Sequence, residues 1–167
     1  VMGMWDGDGE AGRAEMEQVC GECHTTTHTK NYFASDDKAV ELYNIEYWAP
    51  IEAMRVDLAE AGLLKENPWE DGFMTLHYHI WHHEGRRARM AAAMQAPDYV
   101  HWHGMYEIAR NFYHDFLPEV QELADHAGQG EKYRKVISEL LAKPEHLWTK
   151  TGGSAETIKL IEEEQKL

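Results

Sequence analysis

An all-α chain is the fold class this sequence predicts, and three observations predict it. Apolar residues recur at helical spacing through three long stretches, the breaks fall at Pro or Gly, and no segment alternates apolar and polar residues as a strand does. The expected architecture is one cysteine-bearing segment followed by a bundle of long helices.

The elements follow in chain order. A Gly-rich, acidic start reads as loop, and a short helix leads from about Glu10 toward Cys20. The polar run Thr25 to Thr29 is poor in helix formers, and Ser35 or Asp36 offers an N-cap for a long helix over 37–61. Val40, Tyr43, Tyr47, Ile51, Met54 and Leu58 form its apolar stripe, and Gly62 stops it. Pro50 lies in its interior and predicts a kink near Tyr47 to Ala49, because Pro removes a ladder hydrogen bond and clashes with the preceding turn.

After the break at Glu66-Asn67-Pro68 a second helix is expected over 69–94, ended by Pro97. A third begins near Asp98, with Trp102, Met105, Tyr106, Ala109, Phe112, Tyr113 and Phe116 as an aromatic stripe, a kink or restart at Pro118, and a fade at Gly128 and Gly130. Two weaker helices follow, over 131–142 and 155–165, the second capped by Ser154. Three regions result: 1–35 as the cysteine-bearing segment, 36–127 as the long-helix bundle, and 128–167 as a peripheral helical tail.

The 167 residues suffice for one domain with a sizeable core. With 16 Lys plus Arg against 30 Asp plus Glu, the net charge of −14 argues against a nucleic-acid footprint and suits solubility or docking to a basic partner. No run approaches the roughly 20 apolar residues of a membrane-spanning helix.

Cys20-Gly21-Glu22-Cys23-His24 is the most specific motif. Cys-x-x-Cys-His is the pattern of covalent haem c attachment: each thiol adds to a haem vinyl group, and the adjacent histidine ligates the iron. A thioredoxin-like redox pair lacks its strand and helix context here. A zinc site from Cys20, Cys23, His24 and His28 has enough ligands, but its spacing is too tight for the usual structural modules. Haem c is attached after export, yet the residues before Cys20 have neither a basic end nor an apolar stretch, and the first residue is Val1. The expectation is a processed or partial chain, with its export signal upstream and a periplasmic or other extracytoplasmic location.

Six of the 11 histidines fall between His77 and His103, a density that packing does not explain. On a helix His79 shares a face with His82 and His83, whereas His101 and His103 point apart. His28, His79, His83, His101 and His103 are the candidates for a distal iron ligand, each weighed against an ordinary hydrogen-bonded histidine. Met90, Met94 and Met105 are alternatives that serve equally as core filler. His83-Glu84 lacks the second histidine of a zinc-protease motif, because Arg87 stands there. Arg86, Arg87 and Arg89 suit either haem propionates or salt bridges to the abundant carboxylates.

A resemblance then joins these motifs. Cys20 to His24 with Thr25-Thr-Thr-His28-Thr-Lys-Asn-Tyr-Phe33, Tyr43-Asn-Ile-Glu-Tyr-Trp-Ala-Pro50, Trp81-His-His-Glu-Gly-Arg-Arg-Ala-Arg-Met90 and Pro97-Asp-Tyr-Val-His-Trp-His-Gly104 resemble the C-terminal region of octahaem hydroxylamine oxidoreductases and their hydrazine-oxidising relatives. The likeness runs in order from about Val19 to about Phe116. It implies a periplasmic homotrimer of multihaem subunits that oxidises a small nitrogen substrate and delivers electrons to a redox partner cytochrome. It also implies a tyrosine that crosslinks covalently to a neighbouring subunit's catalytic haem; Tyr99 is the first candidate by position, then Tyr106 and Tyr78.

The chain departs from that pattern in holding one Cys-x-x-Cys-His where the family has eight. Either it is part of a longer subunit or the rest is a separate polypeptide, and by itself it lacks the catalytic haem. Two other readings stand beside this one: a stand-alone monohaem electron-transfer cytochrome c that is not an enzyme, and a helical zinc-binding interaction module.

Overall fold

The computed structural model describes residues 9–151, together with Lys159 and Glu163. Every regular element among the described residues is helical, so the chain is all-α. The expected helix over 155–165 with its Ser154 cap falls almost wholly outside them.

Helix α1 (Gly9–Gly21) buries no side chain. Three long helices follow. The first runs over 26–60 as α2 (Thr26–Glu41), a π-helical stretch Leu42–Trp48, and α3 (Ala49–Glu60). The second covers 72–93 as α4 (Gly72–Tyr78), a π stretch His79–Gly85, and α5 (Arg86–Ala93). The third covers 97–126 as α6 (Pro97–Val100), π stretch His101–Met105, α7 (Tyr106–Arg110), π stretch Asn111–Phe116, and α8 (Leu117–His126). Helix α9 (Gly130–Leu140) folds back on α8, and α10 (Trp148–Thr151) follows a tight turn at Pro144–His146. No described helix is long and apolar enough to cross a membrane.

The first long helix starts about ten residues earlier than expected. Thr25 is its N-cap, accepting a hydrogen bond from the His28 amide at 3.2 Å, so the polar threonines begin the helix and do not delay it. Ser35 and Asp36 therefore lie inside α2, not at its start. The second helix also starts later than Trp69: Asn67 caps a 3₁₀ turn at Pro68–Glu70, and buried Asp71 caps α4 through the Met74 amide while accepting the Lys65 amide.

The kink expected at Pro50 is a π stretch. A Pro ring clashes with the carbonyl four residues back, and widening the preceding turn to a five-residue hydrogen bond, as from the Ala49 amide to Asn44, relieves the clash. Pro118 repeats the arrangement, with the Leu117 amide donating to Phe112. The other two π stretches contain no Pro. They carry Gly85 and Gly104, where a Cβ would run into a residue of a neighbouring helix.

At Gly85 the Tyr43 side chain occupies the space a Cβ would need, and the Tyr43 hydroxyl donates to the Ile80 carbonyl at 3.3 Å. At Gly104 a Cβ would stand 2.7 Å from the Ala88 Cα, so the second and third helices touch backbone to backbone. Around these points the core collects Tyr43, Tyr47, Ile51, Leu58, Phe73, Ile80, Ile108, Phe112, Phe116 and Val120. Full burial of each such side chain is worth about 1.5–3 kcal/mol.

The predicted aromatic stripe of the third helix divides. Phe112 and Phe116 are core and Tyr113 is half-buried, whereas Trp102 and Tyr106 are exposed. The π stretches turn the helix face between these groups, which a uniform period of 3.6 does not anticipate. Each long helix ends on a left-handed residue: Gly62 (φ 70°), Gln95 (φ 49°) and Gly128 (φ 72°). The first and last were legible as glycines; Gln95 was not, and Pro97 opens the next helix two residues later.

Gly104→Ala is expected to destabilise the fold by about 1–3 kcal/mol, because the Ala88 backbone it meets cannot rotate aside. Urea denaturation followed by circular dichroism measures it, and an unchanged midpoint would remove this contact from the account.

Candidate functional site

The last turn of α1 presents the Cys-x-x-Cys-His motif. The Cys20 carbonyl accepts the His24 amide at 2.9 Å and the Cys23 amide at 3.2 Å, so the five residues form one compact turn between α1 and α2. The two cysteines are not joined to each other; Cys20 is half-buried and Cys23 exposed. His24 stacks on His28, ring centroids 4.5 Å apart and nearly parallel at 18°.

Cys20, His24 and His28 line one cleft of about 480 Å³ between α1, α2 and the end of the second long helix. Its apolar walls are Met16, Phe33 and Met94, and Met16 and Met94 remain 52% and 65% exposed. α1 is held by a bidentate ion pair from Arg13 to Asp37 at 2.6 and 2.7 Å, with the guanidinium 5.0 Å over the Phe33 ring. That pair holds the Asp37 carboxyl below its usual range. Tyr32 donates to the Ala93 carbonyl and closes the far wall, where the left-handed Gln95 also stands.

A second cleft of about 490 Å³ continues past Tyr32 and Gln95 to Val100 and His101. Asp36 lines it with a buried Oδ1 that has no hydrogen-bond partner among the described residues, and burial raises the Asp36 carboxyl.

The other histidines are dispersed. His79 and His83 meet on the second long helix, ring centroids 5.4 Å apart, beside Glu84. His101 lines the second cleft, and His103 lies on the surface against Tyr99, with Nδ1 3.8 Å from Glu107. Of the distal-ligand candidates, only His28 shares the cleft of Cys20 and His24, and its ring lies face to face with that of His24. Tyr99 and Tyr106 are about half exposed on the third helix, flanking exposed Trp102. Tyr78 stacks on His82, and its ring edge faces Trp81.

Two of the three clustered arginines are engaged within the chain. Arg87 pairs with Glu107 at 3.0 Å, and Arg89 donates to the Gly85 carbonyl while lying 4.9 Å over the Tyr43 ring.

Two further histidines, one half-buried and one fully buried, were not among the candidates. His77 faces Glu52 at 3.0 Å and packs on Trp48. His146 is fully buried, its Nδ1 hydrogen-bonded to the Tyr113 hydroxyl, which in turn approaches the Tyr47 hydroxyl at 3.4 Å. His77 opens the histidine-rich stretch but was not among the candidates, whereas His146 sits outside any motif, and only the return of the tail over the bundle buries it. Burial lowers the pKa of each, countered by Glu52 at His77 and by Glu46 at His146.

Comparison of the chain with family models, with curated proteins and with solved structures gives no match. The site therefore rests on its own geometry.

A histidine whose folded pKa is depressed contributes stability that is complete above its unfolded value near 6.5 and is lost as pH falls through that window. Wild type is therefore expected to lose stability relative to His146→Gln between about pH 7.5 and 5.5, read as the difference in their melting temperatures. A difference that stays constant with pH would show that the fold leaves the His146 pKa at its unfolded value.

Proposed function

We propose that this chain is the C-terminal, haem-bearing and subunit-contacting part of a periplasmic multihaem oxidoreductase of the hydroxylamine- or hydrazine-oxidising kind. The observation that carries the reading is the Cys20 to His24 turn set on the lip of an apolar cleft. Two unpaired thiols and an imidazole in one turn are the donor set of haem c, and the exposed methionines on that cleft are surface that a flat apolar group covers.

In this reading Cys20 and Cys23 hold the haem by thioethers and His24 is its proximal ligand. When bound, haem c supplies one-electron transfer. The chain's own residues orient and shelter it: Phe33, Met16 and Met94 exclude water from its faces, and Arg13 braces α1 against α2. His28, His79, His83, His101 and His103 are the histidines from which a distal ligand is drawn, and of these His28 lies nearest the motif.

The surface of the third helix supports the subunit-contacting role. Tyr99, Trp102 and Tyr106 expose a strip of aromatic surface, the residue type enriched at interfaces. Tyr99, 46% exposed, is the first candidate, ahead of Tyr106 and Tyr78, for the tyrosine that crosslinks a neighbouring subunit's catalytic haem in the homotrimer. The acidic surface suits a basic redox partner cytochrome.

Expression in a host that attaches haem c tests the first part. The expected product carries covalent haem, seen as a Soret band that persists in denaturant, and Cys20→Ser or Cys23→Ser removes one thioether each. A chain that stays colourless overturns it. In the native assembly, Tyr99→Phe is expected to abolish the crosslinked-haem signature and lower substrate oxidation by at least about tenfold, the loss of ~1.4 kcal/mol of transition-state stabilisation. A native subunit carrying a single haem and no oxidase activity identifies a monohaem carrier.

A further inference from the structure

The geometry points to a second, separate metal site: His79, His83 and Glu84 form a three-ligand centre for a zinc-type divalent cation on the second long helix.

Each of the three offers one ligand atom, and these atoms lie within 4.8 Å of one another. Three ligands at about 2.0–2.1 Å around a tetrahedral ion stand some 3.3 Å apart, so the cluster needs a closure of about 1.5 Å at most. Exposed His79 supplies it by side-chain rotation.

The independent mark is Glu84. It is 93% buried, since only 7% of its surface is exposed, and its Oε2 has no hydrogen-bond partner among the described residues. Buried polar atoms are normally satisfied, and a carboxylate oxygen left bare beside two imidazoles is either a cost to the fold or a ligand awaiting its ion. The nearby cation does not satisfy it: Arg87 is spent on Glu107 at 3.0 Å. Nor do the imidazoles of His79 and His83, since that oxygen has no hydrogen-bond partner among the described residues although their ligand atoms lie within 4.8 Å of the Glu84 ligand atom.

The backbone places the three groups. The π stretch His79–Gly85 shifts the register so that Glu84, next to His83, turns inward against the third helix while both imidazoles stay at the rim. The donor set selects the ion. Two imidazoles and one carboxylate suit zinc and its transition-metal neighbours, whereas calcium and magnesium want six or more oxygens. Three protein ligands leave one position open to water or substrate.

The site does not depend on haem at Cys20, and the test keeps the two apart. The full chain as purified, stripped with a chelator, is titrated with Zn²⁺ by calorimetry and with Co²⁺ by visible absorption. One equivalent is expected to bind, with a Co²⁺ spectrum free of thiolate charge transfer. His79→Ala, His83→Ala and the near-isosteric Glu84→Gln each weaken binding by at least about tenfold, whereas Cys20→Ser with Cys23→Ser leaves it intact. Affinity unchanged in His79→Ala and Glu84→Gln overturns the site, as does its loss in the cysteine variant. A Soret band that shifts in His83→Ala without any change in Zn²⁺ affinity assigns that histidine to iron and also overturns it. A Soret band on the same samples with no Zn²⁺ bound defeats this site alone; Zn²⁺ bound without one defeats the haem reading alone.

Discussion

The seat of Tyr43 against Gly85 is the contact on which the rest of the bundle depends. A ring of this size enters the core only because position 85 has no side chain, and its hydroxyl then needs a partner, which the Ile80 carbonyl provides. Burial pushes the Tyr43 hydroxyl up to about 12, so it stays a neutral donor across the physiological range. The same contact sets the first long helix against the π stretch of the second. One turn further on, Ala88 and Gly104 bring the third helix to backbone contact. Large residues at either glycine would separate helices that carry most of the core.

Chemistry-bearing residues follow from that frame in two different ways. The Cys20 to His24 turn is local: its hydrogen bonds span only a few residues, and α1 buries nothing that would fix it elsewhere. The cleft beneath it, by contrast, is made by distant partners, with Phe33 from α2 and Met94 and Gln95 from the end of the second helix. The thiols thus stand on a lightly held helix, and the apolar wall facing them belongs to the bundle. The π stretches serve the other residues. Two of them absorb Pro50 and Pro118, and two carry Gly85 and Gly104 into tight helix contacts, so that His79, His83, Glu84, His101 and His103 all ride on irregular helix.

Much of this was legible along the chain, and the reasons for the rest are particular. The helical periodicity, the stops at Gly62 and Gly128 and the disturbance at Pro50 are local effects, readable from neighbouring residues. The start of α2 was missed because low helix propensity at Thr25 to Thr29 was weighed above the capping strength of Thr25. The outward turn of Trp102 and Tyr106 was missed because a π stretch breaks the period that the stripe assumed. His146 was missed because its burial comes from a tail folding back across some thirty positions onto Tyr113.

The sequence by itself determined the all-α class, the positions of most helix breaks and the Cys-x-x-Cys-His motif of Cys20 to His24, since each depends on residues within a few positions of one another. Only the tertiary structure decided which histidines keep company. It buried His146 against Tyr113, put His101 in the cleft that Asp36 lines, and turned a buried Glu84 in beside His79 and His83. Proximity of that kind is settled by helix crossings and by register shifts inside helices, and both are products of packing between residues far apart in the chain.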